Sequence, residues 1–523
     1  MINIRQFMRN ILSNPKIEKI AHNIQFEKLW SEVIIGSSFR GSYWDTMLAA
    51  HSLDPRKGIK SLKFQTFINF GILGYDDSIS SYLKTSGGGN EINRIDEAPL
   101  DDLLLYCGED VYYTLMLYQQ QKPVFDSDPI LEKGRKFFIR GSETFCNMQK
   151  VGFRSDIEKY EKIRKDLEDE AFDLDDKIQN SEEAKLFLSK IGRRINPGSS
   201  DDLILLFDNV LNLEKGIKKT KTGKRSTDQE ALEEVNSEIA RFILRRRKIL
   251  KIKDTYIYNF IQETSSDGKL HPFFNLHTTR TFRSSSSEPN FQNIPNREKE
   301  AKELCRSALL PMEGFRLSES DYSSQEVRIA ACYTEDPVLI SYVCDETTDM
   351  HRDQCKILFL LEDDMWTKLI RYYAKNLWVF PLFYGSYYVS CCKSIYQIIG
   401  QTKLPNGKTL KQHLAEKGLY SYERLEAHLK SCERRFWDTF NVFHKWQKEV
   451  IETYIRKGYV ELFTGFRRSG NMTRNKILNT AIQGTAFHCL LYTANKMGER
   501  IHDYNWNTRL CGQIHDSLKA SVY

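Results

Sequence analysis

No run of eighteen apolar residues occurs in the 523-residue chain, so no segment has the length and hydropathy of a membrane-spanning helix. Cysteine is sparse: there are eleven, without the density or regular spacing of a disulfide framework. Cys391 and Cys392 are adjacent rather than spaced as C-x-x-C. They read as small buried hydrophobes in a reducing compartment. The opening MINIRQFMRNIL is amphipathic but lacks the apolar core and cleavage site of a signal peptide. A cytoplasmic protein is therefore expected. Neither sign of charge prevails, since 76 basic and 70 acidic residues leave +6. That balance permits a nucleic-acid partner and makes the placement of charge decisive.

What is present is a globular composition, 41% hydrophobic and 28% charged, on a chain long enough for two to four domains. The stretch FRLSESDYSSQEVRIAA, 315–331, reads as a strand that ends in Asp321 and turns into an amphipathic helix carrying Glu326 and Arg328. Two later stretches give it meaning. Arg371–Gly385 reads as a cationic helix presenting Arg371 and Lys375 at i, i+4. Gly512–Ser517 reads as a strand end with a second carboxylate, Asp516. Two distant carboxylates and a doubly cationic helix suit metal-assisted transfer on a polyphosphate.

In chain order, residues 1–135 alternate helical patterns with short apolar runs, as in an α/β domain. Lys19–Asn23 reads as a strand end before a helix opened by Ile24–Glu27, and Asp45 precedes the helix TMLAAHSL. Leu103–Asp110 reads as a helix with Tyr106 and Asp110 on one face. Glu27, Asp45 and Asp110 are candidates to converge on a metal, against the alternative of scattered surface acids. Residues 136–265 are helical and strongly charged, with apolar residues at helical spacing over 156–191 and a long helix over 228–260. The latter carries Arg245, Arg246, Arg247, Lys248, Lys251 and Lys253, and the basic loop KKTKTGKR spans 218–225. Loop and helix each read equally as a track for a phosphate backbone or as a solvated surface. Residues 265–300 form a dense donor array with Arg280, Arg283 and Arg297, suited to sugars, phosphates and minor-groove acceptors. Residues 350–500 are mostly helical, apart from a strand or turn region at Gly458–Gly465.

These residues resemble the family A DNA polymerases, the group of bacterial DNA polymerase I and many phage replicative enzymes. RSSSSEPNFQNIPNR at 283–297 resembles the stretch before the family's palm, and DYSSQEVR at 321–328 its first palm motif. Arg371 and Lys375 fit the fingers pattern R-x-x-x-K, NTAIQGT at 479–485 resembles N-x-x-x-Q-G-T, and His515-Asp516 fits the last palm motif. The resemblance implies α/β plus α+β architecture: an incomplete ribonuclease H-like 3'-5' exonuclease domain, then a right-hand polymerase domain of palm, fingers and thumb. It divides the chain into a truncated exonuclease-like domain at 1–135 and a helical connection at 136–189. The thumb follows at 190–265, a first palm part at 266–350, fingers at 351–429, and a second, C-terminally incomplete palm part at 430–523.

The implied function is template-directed DNA synthesis, with primer-template DNA and dNTPs as partners and two Mg2+ ions held by Asp321 and Asp516. Lys375 would protonate the leaving pyrophosphate. Arg371, Lys375 and His351 would bind the triphosphate, Glu326 would exclude a ribose 2'-hydroxyl, and Phe380 and Tyr384 would pack on the nucleotide and templating base. Arg283, Asn290, Gln292, Asn293, Asn479, Gln483 and His515 would contact primer-template DNA. Glu27, Asp45, Tyr106 and Asp110 resemble remnants of the exonuclease site, with Tyr106 and Asp110 fitting Y-x-x-x-D. Replication of a phage in its host's cytoplasm is the expected setting.

Departures from the pattern sharpen the expectations. Phe282 stands where glycine is usual, Ser324 and Gln325 occupy the Q-I positions, and Ser517 replaces the glutamate after H-D. One residue more than usual separates Lys375 from Phe380, and Phe383-Tyr384-Gly385 shifts with it. An added residue rotates a helix face by about 100° unless a bulge absorbs it. The exonuclease's first D-x-E has no counterpart before residue 22, and the family's chain runs on past position 523. Weak or absent proofreading is expected, with a complementing polypeptide or replication factor as a further partner. The alternative reading is a catalytically incompetent DNA-binding fragment or one half of a split polymerase.

Overall fold

The computed structural model describes residues 3–84, 93–213, 219–220, 223–235, 237–295 and 298–523. They divide into two compact units. The first comprises Met1–Met148, Phe274–Ser285 and Glu319–Lys519; the second comprises Gln149–Phe273, Ser286–Ser318 and Ala520–Tyr523.

The amino-terminal part of the first unit is built on two short parallel strands, Lys19–Ala21 and Tyr43–Asp45, in register Lys19↔Tyr43 to Ala21↔Asp45. Asp45 ends its strand and caps the helix Thr46–Leu53, accepting from the amides of Met47 at 2.9 Å and Leu48 at 3.2 Å. The helix expected at Leu103–Asp110 is one segment of a 27-residue helix, Leu100–Asp126. Its Phe125 packs edge-on to Trp44 at 5.5 Å, and the Arg135 guanidinium lies 3.9 Å over the Trp44 ring.

A helical body follows in the same unit. Its core gathers Phe359, Trp378, Leu382, Phe383, Phe436 and Phe443, all buried. Asp336 caps the helix Pro337–Cys344 and is 1% exposed. It accepts from the amides of Val338, Leu339 and Phe443, so both of its buried oxygens have partners. The 30-residue helix Arg474–Asp503 passes beneath the helix Gln325–Thr334. Gln325 Nε2 donates to the Ala486 carbonyl at 2.8 Å, and the Tyr333 and Thr485 hydroxyls meet at 2.6 Å. At Gly484, in the sequence QGT, a Cβ would come within 2.4 Å of Leu462 and 2.7 Å of the Thr281 carbonyl oxygen, so only glycine fits. A sheet ordered Arg509–Ile514, Ser517–Val522, Arg316–Asp321 completes the region.

The second unit is a helical bundle with a small sheet ordered Lys269–Leu270, Phe153–Ser155, Leu309–Leu310. Helices Ile157–Asn180 and Glu238–Leu250 pack along each other. Phe187, Leu203, Phe207 and Ile243 are buried in one of its cores. The helical spacing over 156–191 is divided between two helices at Ser181, whose hydroxyl accepts from Ala184 N and starts the second. The long helix expected over 228–260 also breaks: Ser237 caps Glu238–Leu250 in the same way, and a π-helical stretch, Lys251–Ile257, follows. In both places a serine cap overrides continuous helical periodicity.

Candidate active site

Asp321 is the last residue of strand Arg316–Asp321. Asp516 sits in the two-residue turn between Arg509–Ile514 and Ser517–Val522, and the latter strand is the neighbour of the one ending in Asp321. His515 opens the turn at φ 54°. Gln513 fixes it, donating to the His515 carbonyl while accepting from the Ser284 hydroxyl at 2.6 Å. The two acids lie near enough for the charge of Asp516 to act on Asp321. Burial first, then the negative charges of Asp516 and Glu319, push the Asp321 carboxyl above its ordinary range. Carboxylates that repel one another fit a divalent cation. Among the described residues no three His, Cys, Asp or Glu side chains form a closed cage. Two carboxylates leave coordination positions open for a divalent cation to fill with other oxygen ligands.

The cationic helix begins at Thr367, whose hydroxyl accepts from Ile370 N, and runs as Lys368–Ala374. A π-helical turn, Lys375–Val379, follows, then Phe380–Phe383. The surplus residue between Lys375 and Phe380 thus sits in a π-turn, which absorbs one residue without rotating what comes after. Phe383 is buried against Phe443 at 4.6 Å, whereas Phe380 and Tyr384 are half-buried, 6.0 Å apart. Lys375 lies 5.0 Å from the Phe380 ring.

Arg371 is held by a residue that sequence reading did not single out. Its Nε and Nη2 donate to Asp349 Oδ2 and Oδ1 at 2.6 and 3.1 Å. Asp349 is also the cap of the helix Met350–Phe359. Burial works against its charge, yet these bonds and the Arg352 amide hold the carboxyl below its usual range. His351 is 3% exposed and edge-on to Phe380 at 5.8 Å. Burial, then the charges of Lys375 and Arg371, lower its pKa to about 4, so the imidazole is neutral at pH 7.

Beside the helix end, four expected residues meet. Tyr384 bonds Gln483, and its hydroxyl is pushed up by burial and the Glu326 charge, with Arg283 acting in the opposite sense. Arg283 Nη1 approaches Gln483 Oε1 at 3.4 Å. Asn479 has a buried carbonyl oxygen with no hydrogen-bond partner among the described residues. Phe282 explains the glycine usual at its position. Its φ is 57°, a left-handed conformation unfavourable for a side chain, and its ring is fully buried against Phe466 and His51.

Residues 164–523 match the sequence profile of DNA polymerase family A, and residues 2–125 match that of a 3'-5' exonuclease. The chain belongs to the family A DNA polymerases. It is 27% identical over 521 residues to DNA polymerase I of Chloroflexus aurantiacus, covering 98% of this chain and 51% of that protein. It is 24% identical over 581 residues to the DNA polymerase of Bacillus phage SP01, covering 98% and 59%. With the thermostable DNA polymerase I of Thermus aquaticus the identity is 28% over 393 residues, 72% of this chain and 42% of that one. This family A chain thus spans about half the length of the first two of these relatives. Its fold matches the polymerase domain of Pol1 from M. smegmatis, solved with DNA primer-template and dNTP, with a TM-score of 0.74 at 24% identity over 100% of this chain and 82% of that one. The architecture is an exonuclease domain followed by a family A polymerase domain.

In the exonuclease region of this family A polymerase, Glu27, Asp45, Tyr106 and Asp110 lie within one electrostatic cluster. Burial, then Asp110 and Asp45, raise Glu27. Tyr106 bonds Asp110, as does Tyr75 at 2.8 Å, a second tyrosine that the sequence pattern left unmarked. Asp45 differs from its neighbours. It is 1% exposed and accepts four backbone N–H groups, from Asn23, Ile24, Met47 and Leu48, at 2.9–3.2 Å.

The remaining expected DNA contacts lie in the second unit. Asn290 caps the short turn Phe291–Asn293, accepting from Asn293 N at 3.2 Å, and Gln292 lies within that turn. Of the two readings left open for the basic helix, its internal ion pairs favour an ordinary charged face. Arg245 forks onto Glu170 and Glu300 at 2.6–3.0 Å, Arg246 onto Asp175, and Lys248 onto Glu298 and Glu300. Arg225, from the basic loop, is 9% exposed and bonds Asp208. Lys218, Lys221, Thr222 and Arg297 lie outside the described residues.

Proposed function

We propose that this chain catalyses template-directed DNA synthesis, joining a primer 3'-hydroxyl to the α-phosphate of a dNTP and releasing pyrophosphate. The observation that carries it is the Asp321–Asp516 pair on adjacent strands, within a family A chain whose cationic helix presents Arg371 and Lys375. Asp321 and Asp516 would hold two Mg2+ ions, which when bound supply Lewis-acid activation of the 3'-hydroxyl and stabilise the leaving pyrophosphate. The side chains do the rest by position. Arg371, pre-oriented by Asp349, and Lys375 bind the triphosphate, and Lys375 Nζ gives a proton to the departing pyrophosphate oxygen. Neutral His351 abuts this pair without adding a third charge. Glu326, in reach of Tyr384, closes the space below C2' of the sugar, and Tyr384 with Phe380 forms the floor under the nascent base pair. Arg283, Asn479, Gln483 and His515 serve the primer terminus, and Asn290, Gln292 and Asn293 contact the duplex. The likeness to the phage SP01 enzyme supports a role in phage replication. Excision by the amino-terminal domain is weak in this reading, because Asp45 is occupied by backbone amides.

Primer extension by the purified chain tests the proposal: only the nucleotide complementary to the template is added, and only with a divalent cation present. Lys375→Ala lowers single-turnover incorporation by about 10²–10⁴-fold and leaves primer-template affinity within a few-fold. A chain that binds DNA but adds no nucleotide under any divalent cation sinks the catalytic reading.

A further inference from the structure

A third acid ties together the strands that carry Asp321 and Asp516. Glu319 lies two residues before Asp321, so both side chains leave the same face of the strand. Ser517 and Lys519 share that two-residue spacing in the neighbouring strand, directly after Asp516. The Ser517 hydroxyl donates to Glu319 Oε1 at 3.0 Å, and the Lys519 ammonium forms an ion pair with the same carboxylate. The Lys519 side chain is 6% exposed and that of Glu319 45%. The ammonium is therefore anchored within the sheet, while the carboxylate stands toward solvent, close enough to Asp321 for their charges to interact.

This arrangement does two things at once. It fastens the strand ending in Asp321 to the first residues after Asp516, and so constrains the distance between the two aspartates. It also adds a negative charge beside them that Lys519 offsets only in part, because the pair is open to water on the Glu319 side. We propose that Glu319 is a positioning residue for the paired aspartates, gripping Ser517 and Lys519 to set their separation and lending charge that draws a divalent cation. The inference rests on reading Asp321 and Asp516 as a cation site.

The test is a Mn2+ titration of the purified full chain, with free ion counted by electron paramagnetic resonance. Binding lost in Asp321→Asn defines the contribution of this site. Replacing both charges together, as in E319L/K519L, leaves no orphaned buried ammonium and preserves the fold. It weakens Asp321-dependent Mn2+ binding by about 10-fold or more. Glu319→Gln, which keeps the shape and the acceptor for Ser517, weakens binding several-fold; because it leaves the Lys519 ammonium without its carboxylate, its melting temperature falls below that of E319L/K519L. Mn2+ affinity within twofold of the unaltered chain in Glu319→Gln overturns the role of Glu319 while leaving the aspartate site standing. Unchanged binding in both Asp321→Asn and Asp516→Asn overturns that site, and this inference with it.

Discussion

His351 links the chemistry of the cationic helix to the stability of the fold. A histidine held neutral by burial, with a pKa of about 4 against an ordinary 6.5, favours the folded state above pH 6.5. Between 6.5 and 4 the unfolded chain takes up a proton that the folded one refuses, so stability falls as pH falls through that window. The full difference is about 3 kcal/mol. Chemical denaturation at pH 7 and pH 4.5 therefore shows a smaller loss in His351→Asn than in the unaltered chain. An equal loss in both contradicts the assignment. Residue-scale features like this were only partly legible beforehand. Spacing singles out Arg371 and Lys375, because helical periodicity and charge are local properties of the chain, while His351 stands out only through the family resemblance. Asp349 and Glu319 escape it, because each acts through a partner remote in sequence: 22 residues away for Asp349 and 198 for the Glu319–Ser517 bond.

At the scale of elements, the π-turn Lys375–Val379 gives the extra residue between Lys375 and Phe380 a place in the backbone. The extra residue was visible in the sequence, but its consequence was not, since a rotated face and a local bulge read alike until the backbone is seen. Deleting Asn376 removes the surplus residue and returns the segment to regular α-helix with both flanks in place. Such a variant keeps its melting temperature within a few degrees and still incorporates nucleotides. Inserting an alanine after Lys375 instead turns Phe380 and Tyr384 by about 100° and abolishes incorporation. Equal activity in the two variants would show that the turn does not set the register. The basic helix Glu238–Leu250 gives a different lesson. Its charge run is legible as composition, but whether those charges face solvent or acids depends on helices elsewhere in the chain. Arg245 forks onto two glutamates, so Arg245→Ala destabilises the bundle by about 1–2 kcal/mol. It leaves the slope of DNA affinity against salt concentration unaltered. A slope reduced by one phosphate contact, with no loss of stability, would restore the reading of this helix as a DNA track.

For the molecule as a whole, the order of motifs makes the architecture legible because each marks a position the backbone constrains: Asp321 at a strand terminus, Asp516 in a hairpin turn, Gly484 inside a helix with no room for a Cβ. The split into two compact units was less legible, since each unit is assembled from three separated stretches of chain. The account depends most on Asp321 and Asp516 acting as a pair. Single-turnover incorporation of one complementary dNTP, measured with Mg2+ at saturating primer-template, examines that pair directly. The account predicts a loss of at least about 10³-fold in both Asp321→Asn and Asp516→Asn, several kcal/mol of transition-state stabilisation, with DNA affinity within a few-fold of the unaltered chain. Near-normal incorporation by either variant would contradict it.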